Sequence, residues 1–150
     1  MFKSTVNFVK LTPTAQAPTQ GSAMAAGFDL HADLGNANLL AIPAGEVRKI
    51  STGIAIAFPE GTFGAIYARS GLATKRGLAP ANKVGVIDAD YRGPIIVALR
   101  NESNEIQYIE NGERIAQIVV TPYCPVSFNE VETIGTTARG ENGFGSTGSK

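Results

Sequence analysis

Aspartate is scarce in this chain and it is grouped: the four copies fall as Asp29 with Asp33 and Asp88 with Asp90, whereas glutamate is spread over nine positions. Short acidic side chains beside glycine or alanine commonly cap turns, which accounts for Asp33 and Asp90. Asp88 differs because it closes the apolar run Val84-Gly85-Val86-Ile87. A carboxylate at a strand end with one apolar flank is partly desolvated, which raises its pKa and suits it to general-base work. Another turn cap is the plain alternative. A second group is Arg69-Ser70-Gly71, where a strand passes into a short helix. The free N–H groups of a helix start, a hydroxyl and a guanidinium would together cradle a phosphate or a carboxylate. The plain alternative there is a capped helix with a surface arginine.

The C-terminal stretch from Arg139 to Gly148 concentrates glycine around one cation, one ring and two hydroxyls. Gly143 to Gly148 spells G-x-G-x-x-G, but no strand precedes it and the chain ends two residues later, so it is not a dinucleotide-binding turn. It is not a P-loop either, since Ser146 stands where the lysine is required. Backbone N–H groups, Arg139, Phe144, Ser146 and Thr147 are parts for wrapping a phosphorylated aromatic ligand; a disordered terminus is the alternative. His31 is the only histidine and Cys124 the only cysteine, so neither a zinc set nor an internal disulfide is available. Cys124 has no local cation to lower its pKa and is expected as a small, half-buried filler.

These groups must be held by something. The chain of 150 residues is of one-domain size, with 13 basic and 13 acidic residues and no block of like charge. That balance argues against gripping a nucleic-acid backbone or an anionic membrane. The apolar runs are too short to span a bilayer and Met1 to Lys10 lacks a signal-peptide core, so a soluble cytoplasmic protein is expected. Short runs rich in Val, Ile, Thr and Tyr recur at Val6–Leu11, Leu39–Ile42, Glu46–Ile50, Thr52–Phe58, Thr62–Ala68, Val84–Ile87, Pro94–Arg100, Glu105–Ile109 and Arg114–Thr121. Their spacing predicts an antiparallel all-β sandwich or barrel. One segment, Ser70 to Arg76, reads as a short helix, with Ser70 as N-cap, Lys75 and Arg76 in the last turn and a stop at Gly77. A single domain is expected, with a β core over 1–132 and a flexible glycine-rich lid over 133–150 that cannot order itself alone.

In order and spacing, five segments resemble the motifs of the trimeric deoxyuridine triphosphatases, the dUTPase family. They are Ala26-Gly27-Phe28-Asp29-Leu30, Ala68-Arg69-Ser70-Gly71-Leu72-Ala73, Gly85 to Gly93, Gly112-Glu113-Arg114-Ile115-Ala116-Gln117, and Arg139-Gly140 with Gly143 to Gly148. The resemblance implies a jelly-roll-like β subunit, a homotrimer with shared active sites, and Mg²⁺-assisted hydrolysis of dUTP to dUMP and pyrophosphate. That reaction limits uracil in DNA and supplies dUMP for thymidylate synthesis; no nucleic-acid or membrane partner is implied.

By resemblance, Asp88 activates the water that attacks the α-phosphorus, and Tyr91 packs on the deoxyribose and leaves no room for a 2′-hydroxyl. Asn82 reads uracil, with the Val86 and Ile87 backbone completing the base slot. Arg69, Ser70, Gly71 and Gln117 resemble phosphate contacts, and Asp29 resembles a holder of a metal-bound water. In the tail, Arg139, Gly145, Ser146 and Thr147 match the terminal-phosphate segment and Phe144 the ring stacked over uracil. Magnesium keeps several waters and takes phosphate oxygens, which fits a site with few direct protein ligands. Phe28 and Ala68 depart from the residues common in the family, Glu141-Asn142 puts an acid beside the tail motif, and Leu34 to Leu40 matches nothing. A dCTP deaminase shares the fold but needs a glutamate base at the ring that the third motif lacks. A silent binding module would be expected to lack one of the phosphate, base or carboxylate elements.

Overall fold

In the computed structural model, which describes residues 5–141, the predicted runs become antiparallel strands. They are β1 (Asn7–Lys10), β2 (Thr19–Gln20), β3 (Phe28–His31), β4 (Leu39–Ile42), β5 (Val47–Ser51), β6 (Ile54–Ala57) and β7 (Thr62–Tyr67). After the helix α1 (Ser70–Arg76) come β8 (Leu78–Pro80), β9 (Gly85–Ile87), β10 (Ile96–Asn101), β11 (Gln107–Glu110) and β12 (Arg114–Pro122). The largest sheet runs β2-β3-β12-β7-β9, a second runs β5-β10-β8, and β1-β6 and β11-β4 form pairs. The all-β, jelly-roll-like class is thus the one adopted, and its sheets are closed by strands distant in sequence.

Period-two alternation builds the core. In β10, Val97, Leu99 and Asn101 point inward while Ile96 and Arg100 point out. Leu30, Ile42, Ile50, Ile54, Leu78, Ile95, Leu99, Ile109 and Ile115 fill the space between the sheets. Asn101 belongs with them although its neighbours read as a polar loop. Its amide donates to the carbonyls of Ile42 and Glu105 at 2.8 and 2.7 Å, and its oxygen accepts from the backbone N–H and hydroxyl of Ser103. Pairing at both ends of the buried amide offsets the cost of taking it out of water.

Three strands lie outside the predicted set. β2 and β3 flank the small-residue segment Gly21 to Gly27, which shows no clear alternation, and β8 ends in Pro80. That proline is tolerated because β8 is an outer strand with no ladder partner beyond it. The helix has the predicted bounds, but its cap is corrected: Arg69 is the N-cap, in extended conformation and without a side-chain cap bond. Ser70 is the first helical residue, and its carbonyl accepts from the Thr74 hydroxyl at 2.7 Å. Cys124 is also corrected, being exposed rather than half-buried, because it lies past the end of β12.

The unassigned Leu34 to Leu40 segment is the turn into β4. Asn111 holds it, accepting from the Leu34 N–H at 2.9 Å and donating to the Gly35 carbonyl. Regular structure ends at Pro122, and residues 123–141 run exposed beyond it. Phe144, Gly145, Ser146 and Thr147 lie outside the described residues. Among the described residues, no helix is long and apolar enough to cross a membrane.

Asp33 is more than a turn cap. Only 8% exposed, it accepts from the hydroxyls of Thr12 and Thr14, the latter at 2.6 Å, and from the Gly35 N–H at 3.3 Å. Gly53 is required opposite it: φ is +66°, and a Cβ there would stand 2.2 Å from an Asp33 oxygen. Burial works to raise the Asp33 pKa, yet the Thr12, Thr14 and Gly35 donors together hold it below the ordinary value. A carboxyl whose folded pKa is depressed stabilises the fold above its unfolded pKa, near 3.9, and that contribution is lost as pH falls through the folded value. Asp33→Asn is expected to cost about 2 kcal/mol at pH 7, and thermal melts should show the gap to the parent chain closing below about pH 4.

Candidate functional site

Two separate groups of the expected residues take shape. The first lies on one row of the large sheet, where Asp29 pairs with Gln117 and Gln117 with Tyr67. Asp29 is the hub. Its Oδ1 accepts from Arg69 Nε at 2.9 Å and its Oδ2 from Arg114 Nη1 at 3.1 Å. Arg69 also donates from Nη1 to the Arg114 carbonyl at 3.0 Å, so its guanidinium is fixed at the point where β7 runs into α1. Ser70 and Gly71 follow on the exposed side of that junction. Gln117 Nε2 donates to the Ala68 carbonyl at 2.9 Å, which ties β12 to the same junction.

Arg114 is a member of this group to which the sequence assigned no role. The register between β12 and β3 shifts between Arg114 and Ala116, a bulge that re-aims the strand and brings Arg114 onto Asp29. Behind them sits His31, 7% exposed, with its Nδ1 unpartnered. Burial pushes its pKa down; nearby Asp29 opposes this, and Arg114 and Arg69 add to it. Among the described residues no three His, Cys, Asp or Glu side chains gather to hold a metal ion. A carboxylate offers about four lone-pair directions, so the two guanidinium bonds leave Asp29 able to accept from a water as well.

The second group surrounds β9. Val86, Ile87, Asp88, Tyr91, Pro94 and Ile96 line an open groove of about 180 Å³. Its bed is apolar, with Val86 61% exposed and Ile96 46%, and Asp88 stands at its edge directly after the strand. Asp88 is exposed, so the partial desolvation expected of it is not present in the single chain. A turn fixes Asp88 relative to Tyr91: the Tyr91 N–H donates to the Asp88 carbonyl at 3.2 Å. Arg92 Nη1 locks that turn by donating to the carbonyls of Ala89 and Tyr91 at 2.6 and 3.0 Å. The Tyr91 hydroxyl donates to the Pro94 carbonyl at 3.1 Å.

Asn82 lies at the opposite end of β9, in the turn from β8, where Lys83 adopts φ of 65°. It does not line the groove. Val86 and Ile87 lie between Asn82 and Asp88, so these two positions bracket one strand.

The single chain does not bring the two groups together. Ile87 pairs with Gly64 and Gly64 with Val120, so Asp88 lies near the Thr121 row, four residues along β12 from Gln117. Asp29 is also three strands away from β9. With strand spacings near 4.8 Å and a rise near 3.4 Å, Asp29 and Asp88 stand roughly 20 Å apart. Arg139 is in the exposed segment beyond β12.

Comparison with known proteins bears on this arrangement. Residues 14–148 match the family model described as dUTPase. A deoxyuridine 5'-triphosphate nucleotidohydrolase of Escherichia phage T5 is 47% identical over 146 residues, covering 95% of this chain and 98% of the relative. The protein of the same name from Rickettsia bellii is 50% identical over 131 residues, covering 87% and 86%. Among solved structures, the dUTPase of Staphylococcus bacteriophage 80alpha with dUPNHPP superimposes with a TM-score of 0.86 at 28% identity, covering 97% of this chain and 99% of that one. A mutant dUTPase of phage phi11 of S. aureus, described as coordinating a structural Mg(II) ion, shares the fold with a TM-score of 0.79 at 23% identity, covering 89% and 100%.

Proposed function

The chain belongs to the dUTPase family, the dUTP hydrolases, and from that premise we propose that it splits dUTP to dUMP and pyrophosphate with Asp88 as the general base. The observation that carries this reading is the groove of β9. One wall presents a carboxylate, the bed is apolar, and a tyrosine is fixed beside the carboxylate by a turn. Asp88 takes a proton from water, the water oxygen bonds to the α-phosphorus, and the bond from that phosphorus to the bridging oxygen breaks as pyrophosphate leaves. Tyr91 packs under the deoxyribose. Asn82 and the free edge of β9, at Val86 and Ile87, supply donors and acceptors to uracil.

Arg69, with Ser70, Gly71 and Gln117 around it, holds the phosphates. Asp29 keeps Arg69 and Arg114 from collapsing onto other acceptors and so presents a preorganised cation, which costs no rearrangement during the reaction. Arg139, Phe144, Gly145, Ser146 and Thr147 belong to the proposal as the segment that closes over the bound nucleotide. Magnesium, when bound, supplies charge neutralisation and orientation to the triphosphate. Asp29, which keeps lone pairs free beside its two guanidinium partners, would hold the ion through one of its waters.

The roughly 20 Å between Asp29 and Asp88 within one chain supports sites assembled from several copies, a homotrimer in which the β9 groove of one faces the Arg69 group of another. The test is pyrophosphate release with Mg²⁺ from dUTP, dTTP, dCTP and UTP in parallel. Release from dUTP far above the other three is expected. Equal release from all four would refute the roles given to Asn82 and Tyr91, and ammonia from dCTP would refute the hydrolytic assignment.

A further inference from the structure

The Tyr91 side chain lies against Gly93, a residue with no side chain of its own. A Cβ at Gly93 would stand 2.4 Å from the Tyr91 hydroxyl oxygen, 2.6 Å from Cζ and 3.0 Å from Cε2. All three atoms belong to one ring. Gly93 is not among the glycines with positive φ, so its backbone conformation does not require glycine; the nearest obstacle to a side chain there is the Tyr91 ring. The ring lies back across the Gly93 Cα, and its hydroxyl reaches the Pro94 carbonyl at 3.1 Å. Its backbone is held independently, by the bond to the Asp88 carbonyl and by Arg92. Tyr91 is 43% exposed and lines the groove.

We propose that Gly93 is a specificity-positioning residue: its missing side chain lets Tyr91 lie flat, and this sets the height of the sugar bed and thereby the preference for deoxyribose over ribose. The inference rests on the reading of Tyr91 as the ring under the sugar. A methyl group at position 93 forces the ring to swing off the chain and breaks the bond to Pro94, leaving that carbonyl without its donor. A swung ring supports the deoxyribose less well and leaves space beside C2′ that a hydroxyl can occupy. Asp88 keeps its place, because the hydrogen bonds that fix the 88–91 turn do not involve the ring.

The experiment is steady-state hydrolysis of dUTP and UTP by the parent chain and by Gly93→Ala, Tyr91→Phe, Tyr91→Leu and the Gly93→Ala/Tyr91→Leu double variant. Gly93→Ala is expected to raise KM for dUTP by about tenfold, to leave kcat within a few-fold, and to lower the dUTP-over-UTP ratio of kcat/KM by roughly tenfold. In the Tyr91→Leu background the same change should lower the ratio no further, since coupled residues are non-additive when one acts only through the other. Tyr91→Phe, which severs the Pro94 bond in a chain that retains Gly93, should lower the ratio in the same direction and reports even where Gly93→Ala folds poorly. A parent-like ratio in Gly93→Ala or Tyr91→Phe, or a further full drop in the double variant, would overturn the role of Gly93. A parent chain that hydrolyses dUTP and UTP equally would overturn the reading of Tyr91 itself, and this inference with it.

Discussion

Asp88→Asn is expected to bind dUTP with KM within a few-fold of the parent value while kcat falls by about 10²–10⁴-fold. Asparagine has the size of aspartate and accepts a hydrogen bond, but it cannot take a proton from water at neutral pH. The rest of the groove should survive the change. The turn from Asp88 to Tyr91 is closed by backbone groups and by Arg92, none of which depends on the carboxylate. Loss of kcat with KM retained therefore isolates the proton transfer, whereas loss of both would mean that Asp88 holds substrate. A kcat near that of the parent would remove Asp88 from the mechanism. The readout is single-turnover pyrophosphate release alongside steady-state kinetics, so that a slow product step cannot mask the chemistry.

The second large effect concerns how sites are assembled. Arg69→Gln alone is expected to lose about 10²–10³-fold in kcat, the usual consequence of removing one preorganised charge donor. Co-expressed with Asp88→Asn, it should regain activity. If every site draws Asp88 from one copy and Arg69 from another, random mixing of two inactive chains leaves about a quarter of sites with both residues intact. If each chain builds its own site, none is restored. The roughly 20 Å between the two groups within one chain predicts the first outcome. Activity of purified mixed oligomers at or below that of the better single variant would require a large rearrangement within the chain instead.

Much of this molecule was legible in its residues. Local signals fixed the helix at Ser70 to Arg76, and nine of the strand positions follow from alternation and turn chemistry. Asp88 stood out because it closes the apolar run Val84 to Ile87, whereas Tyr91 beside it came only with the family resemblance. What escaped reading is long-range. Asp29 meets Arg69 across 40 residues and Arg114 across 85, and a bulge that no composition announces brings the second of these into place. β3 and β8 escaped for a related reason: each is short, and each is a strand because a distant partner makes it one. Gly93 drew no reading of its own beyond closing the third matching segment, because its closest neighbour, the Tyr91 ring, is seen only in the folded chain.

The outer position of β9 has a consequence for solubility. An outer strand carries unpaired N–H and C=O groups that another polypeptide can extend, which is the usual route to intermolecular sheet growth. Within one chain those groups stay open, because they border the groove. Its protection is brevity and charge. β9 has only three residues, too few to nucleate a cross-chain ladder, and Lys83 precedes it while Asp88 and Asp90 follow. The carboxylate assigned to chemistry thus also acts as a gatekeeper against aggregation.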